Sequence, residues 1–155
     1  MRPQRTLPVL LLTWIVIASM SWLPANGATG DQHRIDEIIA QYGGVQIGPT
    51  TISWDQGSVL LDLDTQPTAE VAAATSVCST GSFCAFGGVS YSGTKLTFST
   101  CPATHTSFPT ITVRSIYNNR SSRTVRAYAS TSLRTTLGPG TGAPNVSGIT
   151  KITCS

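Results

Sequence analysis

No acidic residue occurs after Glu70, and this absence is the strongest single feature of the 155-residue chain. All seven Asp and Glu residues lie at Asp31, Asp36, Glu37, Asp55, Asp62, Asp64 and Glu70, where Arg34 is the one basic neighbour. Beyond them stand only cations: Lys95, Arg114, Arg120, Arg123, Arg126, Arg134 and Lys151. An acidic front is thus followed by a basic back. Paired carboxylates for acid–base chemistry would have to come from Asp62 and Asp64, whose alternation on one strand face points instead to contact with the basic half. Histidine is almost as scarce, with only His33 and His105. A hydrolase needs a base beside its nucleophile. His105, near Thr106 and Ser107, reads as an exposed loop residue rather than one member of a triad. No Cys-x-x-Cys pair occurs and no histidine lies near a cysteine pair, which argues against zinc. After Leu23 no stretch is apolar or long enough to span a bilayer.

The first residues do have such a run. Arg2 and Arg5 precede an apolar segment from position 7 to 23, followed by Pro24, Ala25, Asn26, Gly27 and Ala28. That order predicts a secretory signal peptide over residues 1–27, cleaved after Gly27, with Ala28 the next candidate. The alternative is an uncleaved anchor. Against it, the run falls short of about 20 apolar residues and is interrupted by Pro8, Thr13, Ser19 and Ser21. Cleavage would leave one exported monomeric domain with no stable membrane span. Its few charges and abundant Thr, Ser, Gly and Val suit strands and turns.

Four cysteines, Cys78, Cys84, Cys101 and Cys154, follow the leader, and an even number in an oxidising compartment predicts two disulfides. Three connectivities are open. The pairing Cys78–Cys84 and Cys101–Cys154 is favoured, since it closes a short loop through Gly81 and ties the penultimate residue to mid-chain.

Within the front, residues 28–75, Asp31 is a plausible N-cap. Ile35, Ile38, Ile39 and Tyr42 then recur at helical spacing until Gly43 and Gly44 stop the turn. So short a helix must dock its apolar stripe to persist. Strands are predicted at 45–47, 51–54 and 58–63, the last two joined through Asp55, Gln56 and Gly57, with a connector at 66–74. The back, residues 76–155, reads as short strands at 83–86, 95–99, 110–116, 124–128, 133–137 and 148–154, a spacing that suits a sandwich or small barrel. Alternation at 111–113, 125–128 and 149–152 gives each of these strands one wet face, on which the arginines lie. Residues 137–144 are rich enough in Gly and Pro to predict a long turn.

Cys78, Gly81 and Cys84 form a short cysteine-bounded turn that leads to Phe86, then Tyr91, then Gly93. This cysteine–aromatic–aromatic–glycine pattern resembles the secreted actinobacterial peptidase-inhibitor family typified by the Streptomyces metalloproteinase inhibitor. The aromatic–aromatic–glycine part also resembles βγ-crystallin-type domains. The polar stretch 114–123 is similar to the family's Ser-rich segment, although Asn118-Asn119 between two strands would read as a turn in any case. The likeness covers about residues 76–128 and lacks a second clear motif between 129 and 155. It implies a mainly β, disulfide-linked, crystallin-like Greek-key sandwich with a short N-terminal helix and hairpin. In such a fold Phe86 and Tyr91 pack as a corner over a folded hairpin, and Gly93 takes a conformation closed to other residues.

The implied function is a secreted, non-enzymatic inhibitor that needs no cofactor and presents a disulfide-held surface to an extracellular protease. The candidate contacts are the turn 79–82 and the loop 102–109. Some crystallin-type domains bind calcium through a loop that 118–123 approximates, but calcium needs anionic oxygens and this loop carries two arginines. A competing function is a wall- or membrane-surface binding or antimicrobial module acting on an anionic polymer through Arg114, Arg120, Arg123 and Arg126. Those arginines could equally pair with the acidic front. Nucleic acid is disfavoured, because few aromatics interleave with the arginines and export removes the protein from such targets.

Overall fold

A computed structural model describes residues 26–65 and 78–155. The expected signal peptide and the 66–74 connector lie outside the described residues, apart from the two leader residues Asn26 and Gly27. The front supplies α1 (Asn26–Tyr42), β1 (Val45–Gln46), β2 (Thr51–Trp54) and β3 (Val59–Thr65). In α1 the stripe behaves as its spacing requires: Ile35 and Ile38 are buried in the main core and Ile39 packs against it. Gly43 follows with φ +71°, its N–H donating to Ile39 O at 2.8 Å. This is the left-handed stop for which glycine is suited. Asp31 is not the cap, because the helix begins at Asn26 and Asp31 lies inside it. Docking of Ile35, Ile38 and Ile39 on the core holds this helix.

β2 and β3 form the expected hairpin, pairing Thr51 with Asp62 and Trp54 with Val59. β3 then pairs with β5 (Gly93–Phe98), setting Leu61 opposite Leu96 and Asp62 opposite Lys95. The Lys95 ammonium lies 3.1 Å from the Asp62 carboxylate. The acidic hairpin is therefore part of the same sheet as the basic half. β5 also pairs with β4 (Phe83–Phe86), β4 with β7 (Ser115–Asn118), and β7 with β10 (Thr141–Ala143). The resulting antiparallel sheet has seven strands in the order β1-β2-β3-β5-β4-β7-β10. A second sheet has the order β6-β11-β8-β9, from β6 (Ala103–His105), β8 (Val125–Ala129), β9 (Ser132–Leu137) and β11 (Lys151–Cys154). The inner faces meet in one core, where Ile52, Leu61, Phe83, Leu96, Phe98 and Ile116 from the first sheet join Val125, Ala127 and Ile152 from the second. Both disulfides take the favoured pairing, Cys78–Cys84 and Cys101–Cys154.

The strands depart from the sequence pattern in four places. The predicted strand at 110–116 is a ladder only from Ser115. Thr110, just after Pro109, adopts φ +64°, and residues 111–114 are not assigned to a strand, although Val113 is buried. The Gly-Pro-rich turn contains β10, because Gly142 lies against two tyrosines. A Cβ there would come within 2.5 Å of both Tyr117 Cδ2 and the Tyr91 hydroxyl. Glycine at this position is what lets the strand approach. The loop 102–109 contains β6. Finally, β11 begins only at Lys151, so Ile149 and Ile152 are both buried although three positions apart.

Candidate functional site

The turn within the Cys78–Cys84 bridge exposes Ser79, Thr80 and Gly81 while both cysteines are buried. Gly81 sits at φ +80°. Its N–H donates to Asn119 O at 2.9 Å, Asn119 Nδ2 donates to Cys78 O at 2.6 Å, and Asn119 N–H donates to Ser82 O at 3.0 Å. Three exposed residues are thus held by a covalent bridge and by a neighbouring strand end, which is the preorganisation that a small binding surface needs.

Beyond it the β4–β5 connection folds back on itself. Phe86 and Tyr91 meet edge to face with ring centroids 5.7 Å apart, and Tyr91 meets Tyr117 at the same distance. Burial, and then the neighbouring Tyr117, raise the Tyr91 hydroxyl above its ordinary pKa. Gly93 adopts φ +74°, and a Cβ there would lie 3.3 Å from Gly88 N. Sequence reading missed the lock on this hairpin, Ser115. It is fully buried, its hydroxyl donating to Gly88 O at 2.7 Å and accepting from Tyr91 N–H at 2.9 Å. A serine at the head of a strand carries no signal for such a role until the hairpin is seen folded over it.

The four candidate arginines do not form one stripe. β7 separates the exposed Arg114 from Arg120 and Arg123. Arg120 turns inward: its Nη2 donates to the carbonyls of Phe98 and Ser99, and its guanidinium lies 5.9 Å from the Phe83 ring. Burial, then the nearby Arg123, lower its pKa. Arg126 donates to Ser155 Oγ at 2.8 Å, and Arg123 is exposed in the loop after β7. Among the described residues none of the four forms an ion pair with the acidic front, whose contact with the basic half is Asp62–Lys95. In the loop that approximates a calcium site, the Asn118 side chain is fully buried and turned to the backbone. It donates to the carbonyls of Arg123, Leu137 and Gly138 and accepts from Arg120 N–H.

His105 is not an exposed loop residue. It lies on β6, half-buried, its ring 4.3 Å from that of Phe98 and 5.9 Å from that of Phe83. Its Nε2 is buried without a hydrogen-bond partner among the described residues. Burial holds the imidazole below its ordinary value of 6.5, against a smaller opposing pull from Asp55. The unfolded chain therefore binds this proton more readily than the folded one. Stability from this group is full above pH 6.5 and declines as the pH falls below it. Urea midpoints between about pH 7.5 and 5 should show that decline, and His105→Phe should flatten it. An unchanged slope in the variant would assign the decline to other groups.

Next to His105 runs a groove of about 300 Å³, lined by Thr104, Thr106, Ser107 and Pro109, by Phe98 of β5, and by Tyr42, Trp54, Asp55 and Val59 from the front of the chain. Sequence reading offered 102–109 as a contact but had no means of placing the β2–β3 hairpin across from it.

Residues 71–138 match the model of peptidase inhibitor family I36. This is the family read from the cysteine–aromatic–glycine pattern. Neither a curated protein nor a solved structure matches the chain. The I36 match takes in the Cys78–Cys84 turn, the folded hairpin, β6 and Asn118. It leaves out α1, β1 to β3, β10, β11 and Cys154. The groove is therefore lined by I36-matching residues, Phe98 among them, together with Tyr42, Trp54, Asp55 and Val59 from the front of the chain.

Proposed function

We propose that the protein is a secreted inhibitor of an extracellular proteinase, of the metalloproteinase type, and that it acts by binding rather than catalysis. The I36 match over residues 71–138 carries the reading. It is supported by the turn 79–82, held by its disulfide with Ser79, Thr80 and Gly81 exposed, and by the segment 102–109, whose approach is anchored at Cys101. Among the described residues no helix is long and apolar enough to cross a membrane, and two disulfides fit an oxidising compartment. Export through the 1–27 leader is part of the proposal. So is a crystallin-like Greek-key character for β4 to β7, in which β7 returns beside β4 while β6 lies in the other sheet. The alternative of an anionic surface polymer has less support, because Arg120 and Arg126 are engaged within the fold.

Titration of the purified, oxidised protein against secreted metallo- and serine proteases tests the reading. The expected outcome is loss of metalloprotease activity that saturates near a molar ratio of about one, as rigid inhibitors of this size behave. Replacing residues 79–81 or 106–108 with glycine–serine should raise the concentration needed by about tenfold or more for whichever segment makes the contact. Steady cleavage of the protein as a substrate, or unaltered activity across the panel, would overturn it.

A further inference from the structure

We infer that the groove beside β6 is a binding site for an extended polypeptide segment, which adds as a strand to the free edge of β6 and places a basic side chain beside Asp55. The edge is defined by hydrogen-bond alternation. Thr124 and Ser155 exchange both backbone bonds, N–H to carbonyl at 2.9 and 3.0 Å. Alternation then directs the peptide groups of Thr153 toward Arg126, and those of Ile152 and Cys154 toward His105 and Ala103. Thr104, between the latter two, must point its N–H and C=O away from β11. β6 is the outer strand of its sheet, so among the described residues these groups meet no further strand. Thr104 is exposed and lines the groove. An unpaired edge of this kind is a template for a partner strand.

The residues from the front of the chain say which side chain such a strand would bring. Asp55 stands at the tip of the β2–β3 hairpin, where Asp55, Gln56 and Gly57 all have positive φ, at 49°, 56° and 91°. Two consecutive non-glycine residues in that region are held at a cost, and strain of this kind gathers at binding sites. Asp55 forms no ion pair among the described residues, while Asp62 is already matched by Lys95. Tyr42, Trp54 and Phe98 line the same groove. A carboxylate with aromatic rings around it is complementary to a guanidinium or ammonium group on an apolar stem. Burial lowers the His105 imidazole below its ordinary value, which disfavours a competing positive charge beside Asp55.

The site is tested without any protease, so its failure and failure of the inhibitor reading are separately visible. Protein collected from the medium of an expressing host is titrated with the capped pentapeptide Thr-Val-Arg-Val-Thr and with its Gln-for-Arg analogue. Binding is followed by Trp54 fluorescence, with Trp54→Phe as the signal control, and by calorimetry. The arginine peptide should bind about fivefold or more tightly than the glutamine peptide. Asp55→Asn should erase that difference while leaving the glutamine peptide's affinity in place. Strand addition has its own signature: N-methylation of the peptide at alternate amides should abolish binding in one frame and be tolerated in the other. Equal affinity for the two peptides, indifference to Asp55→Asn, frame-independent effects of N-methylation, or no binding at millimolar peptide would each overturn the inference.

Discussion

Joint replacement of Cys101 and Cys154 by serine should lower the unfolding free energy by about 4 kcal/mol, against about 2 kcal/mol for Cys78 and Cys84. The difference follows from loop length, since the first bridge spans a sequence separation of 53 and the second only 6. A cross-link that closes the longer loop removes more freedom from the unfolded chain. The Cys101–Cys154 bridge also has a local duty. It joins β11 to the chain just before β6, an edge strand of three residues with one paired neighbour. The long-bridge variant should therefore lose hydrogen-exchange protection first at the amides of Ala103 and His105, which face β11, before its global stability is exhausted. Urea unfolding of the two double variants side by side makes the comparison. Equal losses, or a larger loss for the short bridge, would show that packing around the cysteines outweighs chain entropy.

Much of this architecture was legible because it depends on local patterns. The isoleucine spacing marked α1, the alternating residues at 125–128 marked the buried face of β8, and the cysteine–aromatic–glycine run marked the folded hairpin together with its family. What was not legible depends on residues distant in sequence. Thr141 to Ala143 look like turn residues, and become β10 only because Tyr91 and Tyr117 leave a space that glycine alone fits. His105 looks like a loop residue, and becomes half-buried because Phe83 and Phe98 offer it two ring faces. The arginines look like a stripe when strands are assumed from 110 to 116. In the fold Arg120 instead reaches back to the carbonyls of Phe98 and Ser99 at the end of β5. The groove was beyond sequence reading for the same reason, since it brings Trp54 to Val59 together with Thr104 to Pro109, about fifty residues further along the chain. Polar residues were read by their usual exposure, and tertiary contacts reversed that reading at Asn118, Ser115 and Arg120.

Asn118→Ala should destabilise the fold by about 3 kcal/mol, because this one side chain satisfies backbone groups from two separate segments, the loop at Arg120 and Arg123 and the end of β9. Its amide donates at 3.1, 3.2 and 3.0 Å to the carbonyls of Arg123, Leu137 and Gly138, and its oxygen accepts from Arg120 N–H. Asn118 also sits in the middle of three strands, opposite Phe83 on β4 and Thr141 on β10. Its loss would uncouple the end of β7 from the end of β9 and from the loop carrying Arg120 and Arg123. A lost cavity-filling group and a lost hydrogen-bond hub predict different things for the nearly isosteric variants. If volume were decisive, Asn118→Leu should recover most of the stability. If unmet carbonyls are decisive, leucine should be no better than alanine, and Asn118→Asp should be worse still, since a buried carboxylate would face three carbonyl oxygens. The second pattern is expected, with urea midpoints of all three variants below that of the parent. Because Asn118 borders the turn 79–82 through Asn119, the same variants should also loosen that turn, seen as faster exchange of the Gly81 amide that donates to Asn119 O. A leucine variant of parental stability would leave the hub without energetic weight.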